Sequence, residues 1–319
     1  MMGYRPPLLL RSGHFNTVYS TLFRKQPDPD YQRQKITTPD GDFLHIDMIR
    51  KANKRLAILC HGLEGSSHSN YIIGAAGLLS EKGWDIVAIN YRGCSGEMNN
   101  SLRMYHSGAT DDLQTVLNAV FDAYNEIAIV GFSLGGNLAI KYCGEKGAEI
   151  DPRIKSVVAV SVPLDLGASS KHIGRPANFI YETKFLWSLK SKIRKKHAQF
   201  PEQIKIELLD GVKTLYDFDD KFTAPIHGFK NASHYYSECS SKSFLEYLTV
   251  PCLVLNAKDD PFLPEECYPD RDHLSNTWLN FETPEYGGHV GFVQPGKKYY
   301  WSEEKILWFI DSHSSYSNQ

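Results

Sequence analysis

"AIVGFSLGGNLAI" (Ala128–Ile140) sets an apolar run ahead of a serine flanked by glycines, and a helix-forming run behind it. Gly131, Ser133 and Gly135 fit the spacing G-x-S-x-G, with Phe132 and Leu134 in the variable places. Between a strand and a helix, that pattern makes a sharp turn with the serine exposed at its tip. Small residues are required beside it because side chains there would strike the neighbouring strand or helix. A serine hydroxyl alone is a poor nucleophile; it needs a base, a carboxylate to orient the base, and donors for the oxyanion. Without such partners the stretch is only a glycine-rich turn.

Candidate partners follow in order. "KDDPFLP" (Lys258–Pro264) comes directly after the strand-like run "PCLVLNA" (Pro251–Ala257), placing a carboxylate pair at a strand's end. Asp260, immediately before Pro261, is the preferred acid and Asp259 the alternative; an aspartate before proline also initiates turns. "GGHVGF" (Gly287–Phe292) sets His289 among glycines after a further strand-like run, "TWLNFET" (Thr277–Thr283). Ser133, Asp260 and His289 thus stand in the chain order serine, acid, histidine. "CHGLEGSS" (Cys60–Ser67) follows the run "LAILC" (Leu56–Cys60), and its H-G turn can present a backbone N–H. The expected oxyanion donors are the amides of Leu63 and Leu134, with His61 a structural histidine and not the base.

The fold class follows from the runs around these motifs. "DFLHIDMI" (Asp42–Ile49) alternates as a strand with one wet face would. "LAILC", "DIVAIN" (Asp85–Asn90), "IAIVG" (Ile127–Gly131) and "SVVAVS" (Ser156–Ser161) are short runs rich in branched residues, as in a parallel sheet buried on both faces. Between them, Leu113, Val116, Leu117, Val120, Phe121 and Tyr124 recur at helical spacing, behind Asp111 and Asp112 in a first turn where acids suit the helix dipole. Alternating strands and helices predict a doubly wound α/β fold: a mostly parallel central sheet with helices on both faces. The alternation stops after residue 165 and resumes at 249, with a last helix near Glu303–Ile310. The expected organisation is a core of 1–165 and 249–319, with 166–248 inserted as a helical lid.

Composition excludes other classes. With 319 residues, 42% hydrophobic and a net charge of −2, the chain can fill a large core and offers no global field for nucleic acid. Its six cysteines show no C-x-x-C pair or zinc spacing, and Cys60 and Cys252 sit inside apolar runs. "MMGYRPPLLLRSGHF" is too short in apolar residues for a signal peptide or a membrane span, so a cytoplasmic setting is expected. No metal or organic cofactor is expected.

Over nearly its whole length the chain resembles the YheT-like branch of the α/β-hydrolases, a group of predicted esterases and lipases. The resemblance is carried by "SGHFNTVYSTLFR", "DGDFLHID", "CHGLEGSSHSNYI", "NYRGCSGEMN", "GFSLGGN", "FDDKFTAPIHGF", "YYSECSS", "VPCLVLNAKDDPF" and "GGHVGF". It departs mildly at Tyr91, where many relatives have phenylalanine. It implies a serine hydrolase acting on carboxylic esters, with relatives handling acylglycerols and phospholipids, and it maps onto Ser133, Asp260 and His289. Thioester or amide cleavage by the same groups is an alternative, as is a silent hydrolase-fold binding protein.

The insert carries the expectation about partners beyond a small-molecule ester. In "FLWSLKSKIRKKH" (Phe185–His197), Phe185, Leu186, Leu189 and Ile193 share one helical face, and Lys190, Lys192, Arg194, Lys195 and Lys196 occupy much of the rest. Such a helix either rests its basic face on an anionic lipid surface or docks on the core with that face solvated; the second is preferred. The aromatic stretch Phe218–Tyr236 either lines an acyl pocket or packs between lid and core, and its His227 and His234 have no metal-ligand partner at a persuasive spacing.

Overall fold

A computed structural model describes residues 3–24, 26–27 and 29–318; Met1 and Met2 of the N-terminal stretch quoted above lie outside them. Eight strands form one sheet in the order β1-β2-β4-β3-β5-β6-β7-β8. They are β1 (Gln32–Thr37), β2 (Phe43–Ile49), β3 (Arg55–Cys60), β4 (Asp85–Asn90), β5 (Glu126–Phe132), β6 (Ile154–Val160), β7 (Cys252–Leu255) and β8 (Leu279–Glu282). β2 runs antiparallel to β1 and β4, and every other pairing is parallel. Alternating residues of β3 feed two separate cores: Leu56, Ile58 and Cys60 face one side, Ala57 and Leu59 the other. Helices α2 (Asn70–Glu81) and α10 (Trp301–Ser312) cover the second side, and α3 (Thr110–Val120) and α4 (Leu134–Lys146) the first. An N-terminal helix α1 (Gly13–Phe23) lies ahead of the sheet in sequence.

Residues 166–248 contain helices and turns only: α5 (Leu166–Ile173), α6 (Phe179–Gln199), α7 (Leu215–Phe218), α8 (Ala224–Ile226) and α9 (Ala232–Cys239). This segment builds a third core, in which Leu186, Leu189, Ile193, Leu215, Phe218 and Phe222 pack with Phe262 and Leu263 from beyond β7. Among the described residues no helix is long and apolar enough to cross a membrane.

Two expectations are corrected. β2 has no wet face: Phe43 through Met48 are all buried. Its polar residues are buried because they are paired, Asp47 accepting from Arg33 (2.7 Å) and Asn90 (2.9 Å) and His45 lying 2.8 Å from Ser95 Oγ. The lid's basic face is likewise not all solvated. Lys196 is fully buried and donates to the carbonyls of Asn99 (2.6 Å) and Ser101 (2.5 Å), and burial pushes its ammonium down to about 8. Lys192 reaches Glu64 at 2.8 Å. Arg194 and Lys195 remain exposed, alongside Phe179, Ile180 and Trp187, each more than 60% exposed. β1 was not foreseen: "QRQKIT" buries only Ile36, because an edge strand needs no apolar face on its outer side.

Arg92, fully buried after β4, ties three segments together. It meets Asp112 of α3 at 2.7 Å and, from the β1–β2 connection, Asp40 at 2.8 Å and Asp42 at 3.2 Å. Burial pushes the Asp42 carboxyl up, but hydrogen bonds from Ser101, Asn99 and two backbone amides prevail and hold it well below its usual range. That stabilisation is complete above the ordinary carboxylate range and is lost as pH falls through the depressed value. Arg92→Met strands the buried carboxylates and is expected to cost about 3–5 kcal/mol in urea unfolding at pH 7. A loss under about 1 kcal/mol would show the cluster to be solvated.

Candidate active site

The parallel strands end nearly in line, and that places the functional loops together. Cys60 at the end of β3 pairs with Gly131 near the end of β5, so the loop after β3 lies beside the serine turn. Val160, Leu255 and Glu282 end β6, β7 and β8 in neighbouring register. The segments after β3, β5, β7 and β8 therefore gather at the carboxyl edge, where open α/β sheets bind ligands.

Ser133 sits between β5 and α4 at φ +52°, ψ −120°, a conformation that L-residues avoid and that persists only when the surroundings impose it. Its amide donates to Val160 O (2.8 Å) and its carbonyl accepts from Gly136 (2.9 Å). The flanking glycines answer close approach. A Cβ on Gly131 would run into the Gly135 carbonyl, and one on Gly135 into that of Cys60. Strand, loop and helix meet there backbone to backbone.

His289 Nε2 lies 2.9 Å from Ser133 Oγ, and Nδ1 lies 2.9 and 3.1 Å from the two oxygens of Asp260. With a carboxylate as its partner, Nδ1 carries the proton and Nε2 is left to accept from the serine hydroxyl. Asp260 and His289 are both buried, and Phe262 lays its ring 4.2 Å from the imidazole. Asp260 Oδ1 also accepts from the Phe262 amide at 2.9 Å. Asp259 faces elsewhere: its carboxylate accepts from the Gly288 amide (2.8 Å), and burial pushes it up to about 6. The two aspartates thus divide the work, one on the imidazole and one on the loop that carries it. Sequence reasoning missed the other props of that loop, Thr17 of α1 and Ser161, which accept from the amides of His289 (2.8 Å) and Val290 (2.9 Å). Thr17 falls within the "SGHFNTVYSTLFR" motif and Ser161 ends the "SVVAVS" run, but nothing in either stretch reports a contact with this loop.

In the loop after β3, Gly62 donates to the Tyr71 hydroxyl and Glu64 to that of Tyr105, both at 3.0 Å. Among the described residues, the amides of Leu63 and Leu134 are spent on no protein acceptor, and both residues line the same cavity as Ser133 and His289. His61 is turned inward. It contacts the Gly62 carbonyl through Nδ1 (2.7 Å) and accepts from the Tyr91 amide, and burial pushes its imidazole down to about 3, so it stays neutral. Glu64, at φ +55°, links this loop to α6 by accepting from Ser188 and Lys192 as well as from the Tyr105 hydroxyl.

The cavity holds about 110 Å³, several times what one water needs. Its lining is partly carbon, with Leu189, Ile193, Leu215, Phe218, Phe222 and Phe262, and partly polar, with His106, Ser170, Asp219, His227, Tyr235 and Tyr236. The Phe218–Tyr236 stretch thus lines it in part. His227 is held by backbone groups: Nδ1 donates to the Thr223 carbonyl (2.7 Å), and Nε2 accepts from the Met104 amide (3.3 Å).

A family model described as the alpha/beta hydrolase fold matches residues 58–294. The chain belongs to the α/β-hydrolase family. Within it, the YheT-like branch is shown by "Putative esterase YheT" of Escherichia coli (strain K12), 34% identical over 88% of this chain and 84% of that protein. "Phospholipase ABHD3" of Mus musculus is 28% identical over 91% of this chain and 73% of its own length. Among solved α/β-hydrolase structures, an esterase of Pyrococcus furiosus superposes with a TM-score of 0.61 at 17% identity, covering 91% of this chain and 95% of that one, a likeness of fold. The sheet of this α/β-hydrolase, its helices on both faces and its helical segment before β7 agree with the expected architecture.

The contact of Gly135 with the Cys60 carbonyl leaves no room for a methyl group. Gly135→Ala is expected to lower stability by about 2–3 kcal/mol in urea unfolding, and an unchanged midpoint would refute the packing described.

Proposed function

We propose that the protein is a serine hydrolase that cleaves carboxylic esters through an acyl-enzyme on Ser133. The observation that carries this reading is the hydrogen-bonded line from Asp260 through His289 to Ser133, which ends at a cavity that two unspent amides also border. His289 takes the serine proton as Ser133 attacks the ester carbonyl, and the amides of Leu63 and Leu134 hold the oxyanion. Asp260 keeps the imidazole in the required tautomer and stabilises the imidazolium. The alcohol leaves with the proton from His289; water activated by the same histidine then releases the acid.

The relatives named esterase and phospholipase support an ester as substrate, and the carbon part of the lining supports a hydrophobic acyl chain. Residues 166–248 act as the lid, since they supply most of that lining. A cytoplasmic setting fits the six unpaired cysteines. Contact with a lipid surface falls to the outer side of α6, where Phe179, Ile180 and Trp187 project beside Arg194 and Lys195.

Ser133→Ala is expected to abolish labelling by a fluorophosphonate probe and to lower ester turnover by about 10³-fold or more. Asp260→Asn should cost about 10³–10⁴ in kcat, and Asp259→Asn less than about tenfold. Unchanged labelling of Ser133→Ala sinks the assignment of the nucleophile, and a larger loss at Asp259 reverses that of the acid. For the lipid contact, Trp187→Ala is expected to weaken co-sedimentation with anionic phospholipid vesicles by roughly threefold or more, with turnover of a water-soluble ester unaltered. Failure of the wild-type protein to sediment would remove that contact.

A further inference from the structure

Among the described residues, Asp219 is the one carboxylate lining the cavity. It opens a π-helical turn, Asp219–Thr223, between α7 and α8; such turns inside α-helical segments often mark functional sites. Although protein surrounds it, the side chain is not fully covered, because it borders the cavity. Thr223 donates to one oxygen at 2.6 Å and Tyr236 to the other at 2.7 Å, with Ser170 Oγ 3.0 Å behind the tyrosine hydroxyl. Each oxygen keeps a lone pair free beyond these bonds.

What the carboxylate lacks is a countercharge. Among the described residues no Lys, Arg or His forms an ion pair with it. Arg103 is taken by Asp111 (2.6 Å), and Lys141 by Glu145. The two imidazoles lining the cavity, His106 and His227, lie tilted to each other with ring centroids 4.5 Å apart, and burial drives both toward neutrality. Burial pushes the Asp219 carboxyl up to about 6, and a cation beside it would favour the ionised form. An ionised carboxylate at a largely dry wall with no cation is costly, and a positive ligand relieves that cost. The rings of Phe222, Tyr235 and Tyr236 border the same cavity, and aromatic faces attract a cation that has shed its water.

We propose that Asp219 anchors a cation subsite in the substrate cavity, so that the favoured ester carries an ammonium group seated against this carboxylate while its carbonyl meets Ser133. The inference rests on the ester-hydrolase reading and adds the charge of the substrate to it. The carbon part of the lining takes the uncharged chain, and the polar part takes the charged end.

The test uses two matched pairs of esters, each a quaternary ammonium ester with its neutral carbon isostere. One pair is 2-(trimethylammonio)ethyl butyrate and 3,3-dimethylbutyl butyrate, with the charge on the alcohol. The other is ethyl 4-(trimethylammonio)butanoate and ethyl 5,5-dimethylhexanoate, with the charge on the acyl chain. In at least one pair, the wild-type enzyme is expected to favour the cationic ester by about tenfold or more in kcat/KM. Asp219→Asn should bring that ratio to within about threefold of unity by lowering kcat/KM mainly for the cationic ester, while fluorophosphonate labelling checks that Ser133 is still reactive. The idea is overturned if the wild type prefers the neutral isostere or shows no preference in both pairs. It is equally overturned if a labelling-competent wild type turns over neither pair, or if Asp219→Asn keeps the preference because the carboxylate only braces the π-turn. If that variant does not fold, the wild-type ratios decide alone. Absence of labelling in the wild type would instead strike the ester-hydrolase reading.

Discussion

Three backbones meet without side chains between them where β5 turns into α4, and the site depends on that contact. Gly131 lets the strand lie against the Gly135 carbonyl, and Gly135 lets the helix lie against that of Cys60. The chain has so little room to turn that Ser133 takes a positive φ, a cost that the surrounding sheet imposes and sustains. The same closeness brings the loop after β3 to the first turn of α4, so two unspent amides come from segments more than sixty residues apart in sequence.

How much of this was legible in the sequence depends on whether the signal was local. β3, β4 and β5 could be read because strands buried on both faces are nearly continuous apolar runs. The grouping of Ser133, Asp260 and His289 could be read because each lies in a segment that follows a strand, in a fixed chain order. β1 could not, since Ile36 is its one buried side chain and its backbone pairing with β2 leaves no periodic apolar pattern in "QRQKIT". The burial of β2 was missed for a related reason. Alternation announces polar residues but is silent on whether Arg33, Ser67 and Asn90 will arrive to satisfy Asp47.

The lid shows the same limit at helical scale. Spacing identified the inward face of α6 correctly in Leu186, Leu189 and Ile193. Charge identified Lys192 and Lys196 as solvent-facing, and there the reasoning failed. A lysine can be buried when fixed carbonyls or a carboxylate replace its water, and neither is visible from the helix's own sequence. Two of the basic residues thus act as fasteners to the core, and the exposed remainder of the helix is more aromatic than its composition suggests.

One of those fasteners has a mechanical consequence. Glu64 follows Leu63 in the loop beside the serine, and its carboxylate is shared between Tyr105 on the core side and Ser188 and Lys192 on the lid side. Two of these three donors belong to α6, so any displacement of that helix would pull on the same carboxylate that Tyr105 holds. The loop beside the serine and the helix bordering the cavity are thus coupled through one side chain, a single rivet through two plates.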